Sequence, residues 1–271
     1  MLKKSYKRFF AFGCSYTSYV WAMWPEVIKQ ELGDVEFHNL GRAGAGNSYI
    51  AHQIYLADIK YNFGPDDLIM VCWTHAYRMD WLLSDKDDWR LEGFMFYEGE
   101  INKYLSDETK SLENCEFRDS NIIVCATEYL NNLPSDAITF SWIDNLSTDQ
   151  ERLQPFKKYM SDIPIWNSEY YQKKREQLWE DHIGQPPNVW EEDYDEEPWD
   201  THPMPIEALE FLSETLEYEF DIDTINITIE YHEKMSEAIK SHFKYKNMIW
   251  YGWQVASEMG PEARSLVYFL D

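Results

Sequence analysis

"FFAFGCSYTSY", residues 9–19, is an apolar run that breaks at a glycine and continues into a cysteine, a serine, a tyrosine and a threonine. The overlapping stretch "RFFAFG", residues 8–13, predicts a buried strand, and "SYVWAMWPEVIKQELG" after it predicts a helix with apolar residues near helical spacing. Pro25 suits either an early position in that helix or a bend in it. Ser15 is therefore predicted to lie on a strand-to-helix turn.

The same alternation continues along the chain. "VEFHNLG" (35–41) predicts a second strand, "NSYIAHQIYLADIKYN" a helix capped by Asn47, and "DLIMVCW" (67–73) a third strand. "AITFSWI" (137–143) predicts a fourth. Strands that alternate with helices indicate an α/β fold with a parallel sheet, whose ligands bind at the carboxyl ends of the strands.

Three loops follow the first three predicted strands: "GCSYT", "GRAGAGNS" and "WTHAYR". We expect them to meet at one edge of the sheet. The pattern weakens over residues 79–133, apart from a helix-like piece ending near "ATEYLNN", and further helices are predicted in "THPMPIEALEFLSETLEYEF" and around 227–242. The sequence thus predicts one domain over residues 1–271 with a large mixed insertion at about 82–190.

Composition limits the possible partners. Of the 271 residues, 44% are hydrophobic and 17% aromatic, which predicts a folded chain. The 49 acidic and 24 basic residues give a net charge of −25, which disfavours nucleic acid and anionic membranes and favours neutral or cationic ligands. A solvated acidic surface is the plainer explanation of this charge.

The four cysteines form no C-x-x-C pair, which predicts free thiols rather than zinc ligands or disulfides. The basic start "MLKKSYKRFFAFG" has too short an apolar run for a signal peptide, and no stretch of eighteen apolar residues occurs. We therefore expect a soluble, unexported protein that is cytoplasmic or associated with a virion.

A serine on a tight turn after a strand can act as a nucleophile if a histidine accepts its proton and backbone N–H groups bind the oxyanion. The alternative is that Ser15 only caps the following helix. "FGCSYT" resembles the first block of the SGNH (GDSL-like) hydrolases, in which the nucleophilic serine follows the first strand, with Cys14 in place of the usual acid.

"NLGRAGAGN" resembles the second block of that family. Asn39, Gly41 and Gly44 match its spacing, so the resemblance implies Gly44 as an oxyanion N–H donor, with Gly46 as the alternative if the register differs. The third block normally supplies an asparagine, but "CWTHAYR" has none. Thr74 stands at the matching position, and its hydroxyl is the expected donor.

Other residues remain open for these roles. His75 and Asn47 are rivals to Thr74, and Arg78 suits a structural ion pair. "WDTHPMP" resembles the terminal block, which implies His202 as general base and Asp200 as its orienting partner. The family's acid lies three residues before the histidine, where this chain has Trp199. The alternative for His202 is a capping or surface histidine.

The resemblance implies a three-layer α/β/α, flavodoxin-like parallel sheet and a serine esterase acting on small acyl esters, O-acetyl groups on carbohydrates among them. The "WTxxxR" and "DxHP" variants are similar to those of phage-encoded members of this family. The alternatives are a catalytically impaired scaffold that serves as a virion component or glycan-binding module, and an acyltransferase that uses the same residues.

Three other motifs are weaker. "GRAGAGNS" lacks the third glycine of a dinucleotide loop, because Tyr49 stands there. "HEKMSEAIKSH" does not have the H-E-x-x-H spacing of a zinc protease, and "EEDYDEEPWD" lacks the glycine and ligand alternation of a calcium loop. We therefore predict no metal and no redox cofactor.

Overall fold

The computed structural model describes residues 2, 5–19, 21–83, 88–94, 111–145, 151–166, 170, 171, 173, 174, 177 and 202–246. By their contacts they form two compact units. The sheet unit comprises the described residues of 3–18 and 34–167, and the helical unit comprises those of 1–2, 19–33 and 168–271. The single domain over 1–271 stays a prediction.

The sheet unit is built on parallel strands. In chain order its strands are β1 (Arg8–Phe12), β2 (Glu36–Asn39), β3 (Asp67–Trp73), β4 (Arg78–Leu83), β5 (Asp88–Phe94) and β6 (Asp136–Ser141). β2, β1, β3 and β6 lie side by side in that order, all parallel, whereas β4 and β5 form a separate antiparallel hairpin. The α/β class with a parallel sheet is thus confirmed, and the strand order is compatible with a flavodoxin-like fold.

The central strands are the apolar runs of the sequence. Every residue of β3 is buried, as expected for a parallel strand covered on both faces. All four strands predicted for the sheet are present, each with boundaries close to the expected ones. Beside β6, a parallel bridge joins Ser141 to Ile165.

The helices in the described residues are α1 (Trp24–Leu32), α2 (Asn47–Tyr61), α3 (Leu112–Asn131), α4 (Gln154–Met160), α5 (Pro205–Leu216) and α6 (Ile222–Lys246). In the sheet unit, α2 packs against α3 and α3 against α4. In the helical unit, α1, α5 and α6 pack against one another. None of the described helices is long and apolar enough to cross a membrane.

The helix after Ser15 begins later than the sequence predicts. α1 begins at Trp24 with Pro25 in its first turn, where the fixed backbone angle of proline and its missing N–H favour a helix start. Glu26 supports this start, because its Oε2 accepts the Met23 N–H at 2.9 Å. Neither the expected position of Ser15 at a helix N-terminus nor its alternative role as a cap is correct.

The cap predicted for α2 is also wrong. The cap residue is Gly46, and Asn47 is the first residue of the helix. Of the stretch predicted as an insertion, about 82–190, the described part contains the end of β4, β5, α3, β6 and α4, so a strand of the main sheet lies within that range. The predicted helix near "ATEYLNN" is confirmed as α3, and the two later predicted helices as α5 and α6.

Candidate active site

Ser15 lies in a tight turn directly after β1. The N–H groups of Thr17 and Ser18 both donate to the Cys14 carbonyl, at 2.9 and 3.1 Å. A Cβ at Gly13 would lie 1.9 Å from Thr17 Oγ1, so no larger residue fits there without a shift. Ser15 itself is 6% exposed. The turn therefore presents the serine at the carboxyl end of β1, but largely covered.

The loop after β2 is fastened to this turn by Asn39. Its Nδ2 donates to the Thr17 carbonyl at 2.9 Å, and its Oδ1 accepts the Gly41 N–H at 3.0 Å. A third hydrogen bond runs from the Arg42 N–H to the Gly13 carbonyl, also at 3.0 Å. The first two loops that carry the family resemblance are thus held against each other at the carboxyl edge of the sheet.

Gly44 occupies a position that favours glycine. It has a φ of 80° inside a turn closed by the Ala45 N–H on the Arg42 carbonyl at 3.0 Å. The alternative donor, the Gly46 N–H, is bound to Asp80 Oδ1 at 2.8 Å. Because the Gly46 N–H already has this partner, Gly44 is the better candidate of the two for an oxyanion N–H donor.

Asp80 takes the capping role that the sequence assigned to Asn47. Besides the Gly46 N–H, its carboxylate accepts the Tyr49 N–H at 2.9 Å, so it binds the first turn of α2 from outside the helix. Burial raises the pKa of Asp80, while these two backbone N–H groups act in the opposite direction. Asp80 was missed because it lies more than thirty residues away in a stretch with weak periodicity.

Thr74 follows β3 as predicted but is completely enclosed, with no exposed surface. Its hydroxyl accepts the Trp142 indole N–H at 2.9 Å. Its backbone N–H donates to Asn47 Oδ1 and its carbonyl accepts from Asn47 Nδ2, both at 2.9 Å. The Thr74 hydroxyl keeps one proton to donate, but in this conformation no solvent reaches it.

Asn47 and Asp119 form a buried polar pair behind this loop. Asn47 Nδ2 also donates to Asp119 Oδ2 at 2.8 Å, and Arg118 Nε donates to Asp119 Oδ1 at 2.5 Å. Burial raises the pKa of Asp119 to about 6, while Arg118 and Asn47 act in the opposite direction. Both polar atoms of the Asn47 amide are thus in hydrogen bonds with Thr74 and Asp119. Asn47 therefore holds the loop after β3 in place, which disfavours it as the oxyanion donor.

Arg118 holds the other side of the same loop. Its Nη2 donates to the carbonyls of Ala76 and Arg78 at 2.7 and 2.8 Å. Arg78 in turn donates from Nη1 to the Ala45 carbonyl at 3.0 Å. Sequence reasoning did not single out Arg118 or Asp119. The available signal was the spacing of Asp119, which lies four residues from both Cys115 and Ile123 and therefore on the same buried face of α3.

His75 is the second rival to Thr74, and its ring is half-buried. The Tyr77 N–H donates to His75 Nδ1 at 3.0 Å, which leaves the proton of the neutral ring on Nε2. Burial, together with the positive charge of Arg78, lowers the pKa of His75 to about 4. The ring is therefore neutral at physiological pH and carries an N–H donor on the loop that follows β3.

An aromatic cluster adjoins these loops. The ring of Tyr16, next to Ser15, stacks on Trp142 with centroids 4.6 Å apart and meets Trp166 edge-on at 6.0 Å. The His75 ring stacks on Tyr77 at 4.4 Å and lies 6.1 Å from Trp142. The cluster gives the carboxyl edge of the sheet unit an aromatic wall beside its polar loops.

His202 belongs to the helical unit, two residues before the Met204 cap of α5. Its ring lies parallel to that of Tyr19, with centroids 3.6 Å apart. Asp200 lies outside the described residues. The structure thus gathers the loops of Ser15, Gly44 and Thr74 in the sheet unit, and it holds His202 in the helical unit.

Comparison with models of protein families, with curated proteins and with solved structures finds no match to this chain. Among the described residues, no group of three or more histidine, cysteine or acidic side chains has the arrangement of a metal site.

Proposed function

We propose that this chain is a serine ester hydrolase of the SGNH type, with the three-layer fold of that family. The observation that carries the proposal is the joint geometry of two loops. The Ser15 turn and the glycine loop of Gly44 are fastened together by Asn39 at the carboxyl edge of a parallel sheet. That edge is where open α/β sheets bind their ligands.

In the proposed reaction, Ser15 Oγ attacks the ester carbonyl while His202 accepts its proton. The tetrahedral oxyanion is bound by the N–H groups of Ser15 and Gly44. His202 then returns the proton to the departing alcohol. Water, activated by the same histidine, hydrolyses the acyl-enzyme and releases the carboxylic acid, and Asp200 is the proposed partner that orients the imidazole.

The loop after β3 supplies the third oxyanion donor in this proposal, and two residues compete for that role. Thr74 is the residue implied by the family pattern, but its hydroxyl is enclosed and already accepts from Trp142. His75 follows it with a neutral ring whose proton is on Nε2. A neutral imidazole is a suitable donor to a developing oxyanion.

The proposed substrates are small acyl esters, with O-acetyl groups on carbohydrates as the leading class. The support is the family resemblance together with the partly exposed ring of Tyr77, because aromatic faces suit the apolar faces of sugars. Tyr16 and Trp142 are buried in this conformation, 3% and 8% exposed, and stack on each other. The net charge of −25 favours neutral rather than anionic substrates.

The test is turnover of short-chain aryl esters by the purified protein beside Ser15→Ala and His202→Ala. Each change is expected to lower kcat at least about 1,000-fold, because both residues act in the same step. Ser18→Ala on the same turn is the matched control and keeps its activity. A fluorophosphonate probe should label the wild-type chain and Ser18→Ala, and fail to label Ser15→Ala.

A second function is favoured by one observation, the enclosure of Ser15 and Thr74, which are 6% and 0% exposed. A scaffold with a closed site would serve as a virion component or a glycan-binding module rather than as an enzyme. Wild-type protein that neither turns over esters faster than Ser15→Ala nor reacts with the phosphonate would support this second function instead.

A further inference from the structure

A short segment of the helical unit, whose described residues are Tyr19, Trp21 and Ala22, lies beside His202. Two of its aromatic side chains and one of its backbone N–H groups contact residues of this unit that are far away in sequence. One of those contacts is on His202 itself, and a second is on the residue that follows it. The segment and the histidine therefore form one packed assembly.

The contact on His202 is a parallel ring stack. The Tyr19 and His202 rings are inclined by 12° and their centroids are 3.6 Å apart. The Tyr19 ring also contacts Trp21 edge-on, with centroids 4.7 Å apart and planes inclined by 84°. A ring that contacts both a perpendicular indole and a parallel imidazole has little freedom to rotate, so Tyr19 favours an imidazole plane parallel to its own.

The backbone next to the histidine is fixed by Trp21. Its indole Nε1 donates to the Pro203 carbonyl at 2.9 Å, and Trp21 is buried. Pro203 and Pro205 restrict the backbone on both sides of Met204, the cap of α5. Trp21 and the two prolines thus restrict the backbone next to His202, and Tyr19 restricts the orientation of its ring.

The segment is also anchored on α6. The Ala22 N–H donates to the hydroxyl of Tyr231 at 3.0 Å, and both residues are buried. Burial raises the pKa of Tyr231, so its hydroxyl stays protonated at physiological pH. The segment that carries Tyr19 is therefore attached by a buried hydrogen bond to the long helix α6.

We infer that Tyr19 is a positioning residue for His202: its ring holds the imidazole in the one plane from which that base exchanges protons with its partner. The inference rests on the proposed function for its catalytic meaning. Misplacing a catalytic group by about 1 Å can lower turnover about 100-fold, so loss of the stack is expected to act mainly on kcat.

The first experiment measures the stack without using activity. In protein labelled with ¹³C-histidine, the ring signals of His202 are assigned by their loss in His202→Gln. They should show cross-relaxation with the Tyr19 ring and an upfield ring-current shift in the wild type and in Tyr19→Phe. Both features should disappear in Tyr19→Leu. Unchanged His202 signals in Tyr19→Leu would overturn the inference, whether or not the protein is an esterase.

The second experiment measures the consequence for turnover. Tyr19→Leu is expected to lower kcat about 10- to 100-fold with little change in KM, and Tyr19→Phe, which keeps the ring, to retain most of it. In a His202→Ala background, Tyr19→Leu should have no further effect, because the two residues act as one unit. An equal loss in both backgrounds would mean that Tyr19 is merely structural.

The two experiments separate the inference from the function on which it rests. Protein with the stack but without turnover in any variant contradicts the proposed esterase and the positioning role together. Turnover that depends on Ser15 and His202 but not on Tyr19 leaves the esterase and removes the positioning role. Trp21→Phe, which keeps an aromatic ring but loses the donor to Pro203, is expected to give a smaller loss than Tyr19→Leu.

Discussion

The loops of the sheet unit and the His202 region of the helical unit are stabilised in different ways. In the sheet unit, side-chain amides and carboxylates bind backbone groups of neighbouring loops, as Asn39, Asn47 and Asp80 do. Around His202, flat rings pack on one another, and the Trp21 indole N–H and the Ala22 N–H donate hydrogen bonds. Buried polar groups must all be paired, whereas ring packing allows conservative exchange. The sheet unit should therefore be the less tolerant of single substitutions.

The largest effect is expected at Asn47. Asn47→Leu removes three buried hydrogen bonds. The N–H and the carbonyl of Thr74 and one carboxylate oxygen of Asp119 each lose the Asn47 amide as a partner. Unpaired buried groups of this kind cost about 3–5 kcal/mol of unfolding free energy in total. Urea denaturation followed by circular dichroism measures this loss.

Asn121→Leu on α3 is the matched control, because the amide of Asn121 donates to the Phe117 carbonyl at an exposed position. We expect a loss below about 0.5 kcal/mol there. Equal losses for the two variants would mean that the buried polar pair contributes no more to stability than a surface amide.

The next effect concerns crowding at the Ser15 turn. Gly13→Ala would bring a Cβ to 1.9 Å from Thr17 Oγ1 and 3.0 Å from the Cys72 carbonyl. Overpacking of this kind costs about 1–3 kcal/mol, and the shift of Thr17 should also lower ester turnover. Thermal unfolding and aryl ester assays measure the two losses.

Gly33→Ala in the helical unit separates crowding from backbone strain. Gly33 has a φ of 71°, but nothing lies within 4 Å of the position of a Cβ there. We expect it to lose stability, by about 1 kcal/mol, and to keep its turnover. Retention of full activity by Gly13→Ala would show that the turn can relax around the added methyl group.

A smaller effect is expected from pH at His75. The pKa of this ring is about 4 in the folded chain and 6.5 in its ordinary state, so between these values the unfolded chain binds the proton and the folded chain does not. The stability of the wild type should therefore fall, relative to His75→Gln, as the pH is lowered from 6.5 to 4. Above pH 6.5 the difference should be constant.

The expected size of this relative loss is about 1 kcal/mol, since the ring is only half-buried and solvent screens part of the effect. Urea midpoints at pH 7.0, 5.5 and 4.5 measure it for both proteins. A difference that grows in the opposite direction would mean that the folded chain stabilises the protonated ring.

The smallest effect is expected on the surface of the helical unit. Lys234 Nζ lies 2.6 Å from Glu230 Oε1, one turn apart on α6, and both side chains are well exposed. Exposed pairs of this kind contribute less than about 0.5 kcal/mol. Glu230→Gln should therefore change the urea midpoint only slightly, and a loss as large as that of Gly13→Ala would remove the contrast between the two regions.

The sheet itself was predictable because each central strand is a run of apolar residues. β3 matches its predicted bounds completely, since a strand buried on both faces has to be apolar throughout. The loops of Ser15, Gly44 and Thr74 were predictable as a group for the same reason, because parallel strands bring their carboxyl ends to one edge.

The contacts within that edge were not predictable from local patterns. An asparagine before a helix is typically a cap, but here the distant Asp80 caps α2, and Asn47 binds Thr74 and Asp119 instead. The late start of α1 depends on Pro25 and Glu26, which compete with the earlier serines for the helix start. Contacts between residues thirty or more positions apart leave no periodic signal in the sequence.

The position of β2 at the margin of the parallel sheet bears on the risk of self-association. Within the described chain, β2 pairs with β1 on one side only, so its other side offers backbone groups to which a strand of a second molecule can add. The strand has only four residues, and its exposed first residue, Glu36, carries a charge. Replacing that charge with a β-branched apolar residue would remove a barrier to fibril growth while leaving the interior of the fold untouched.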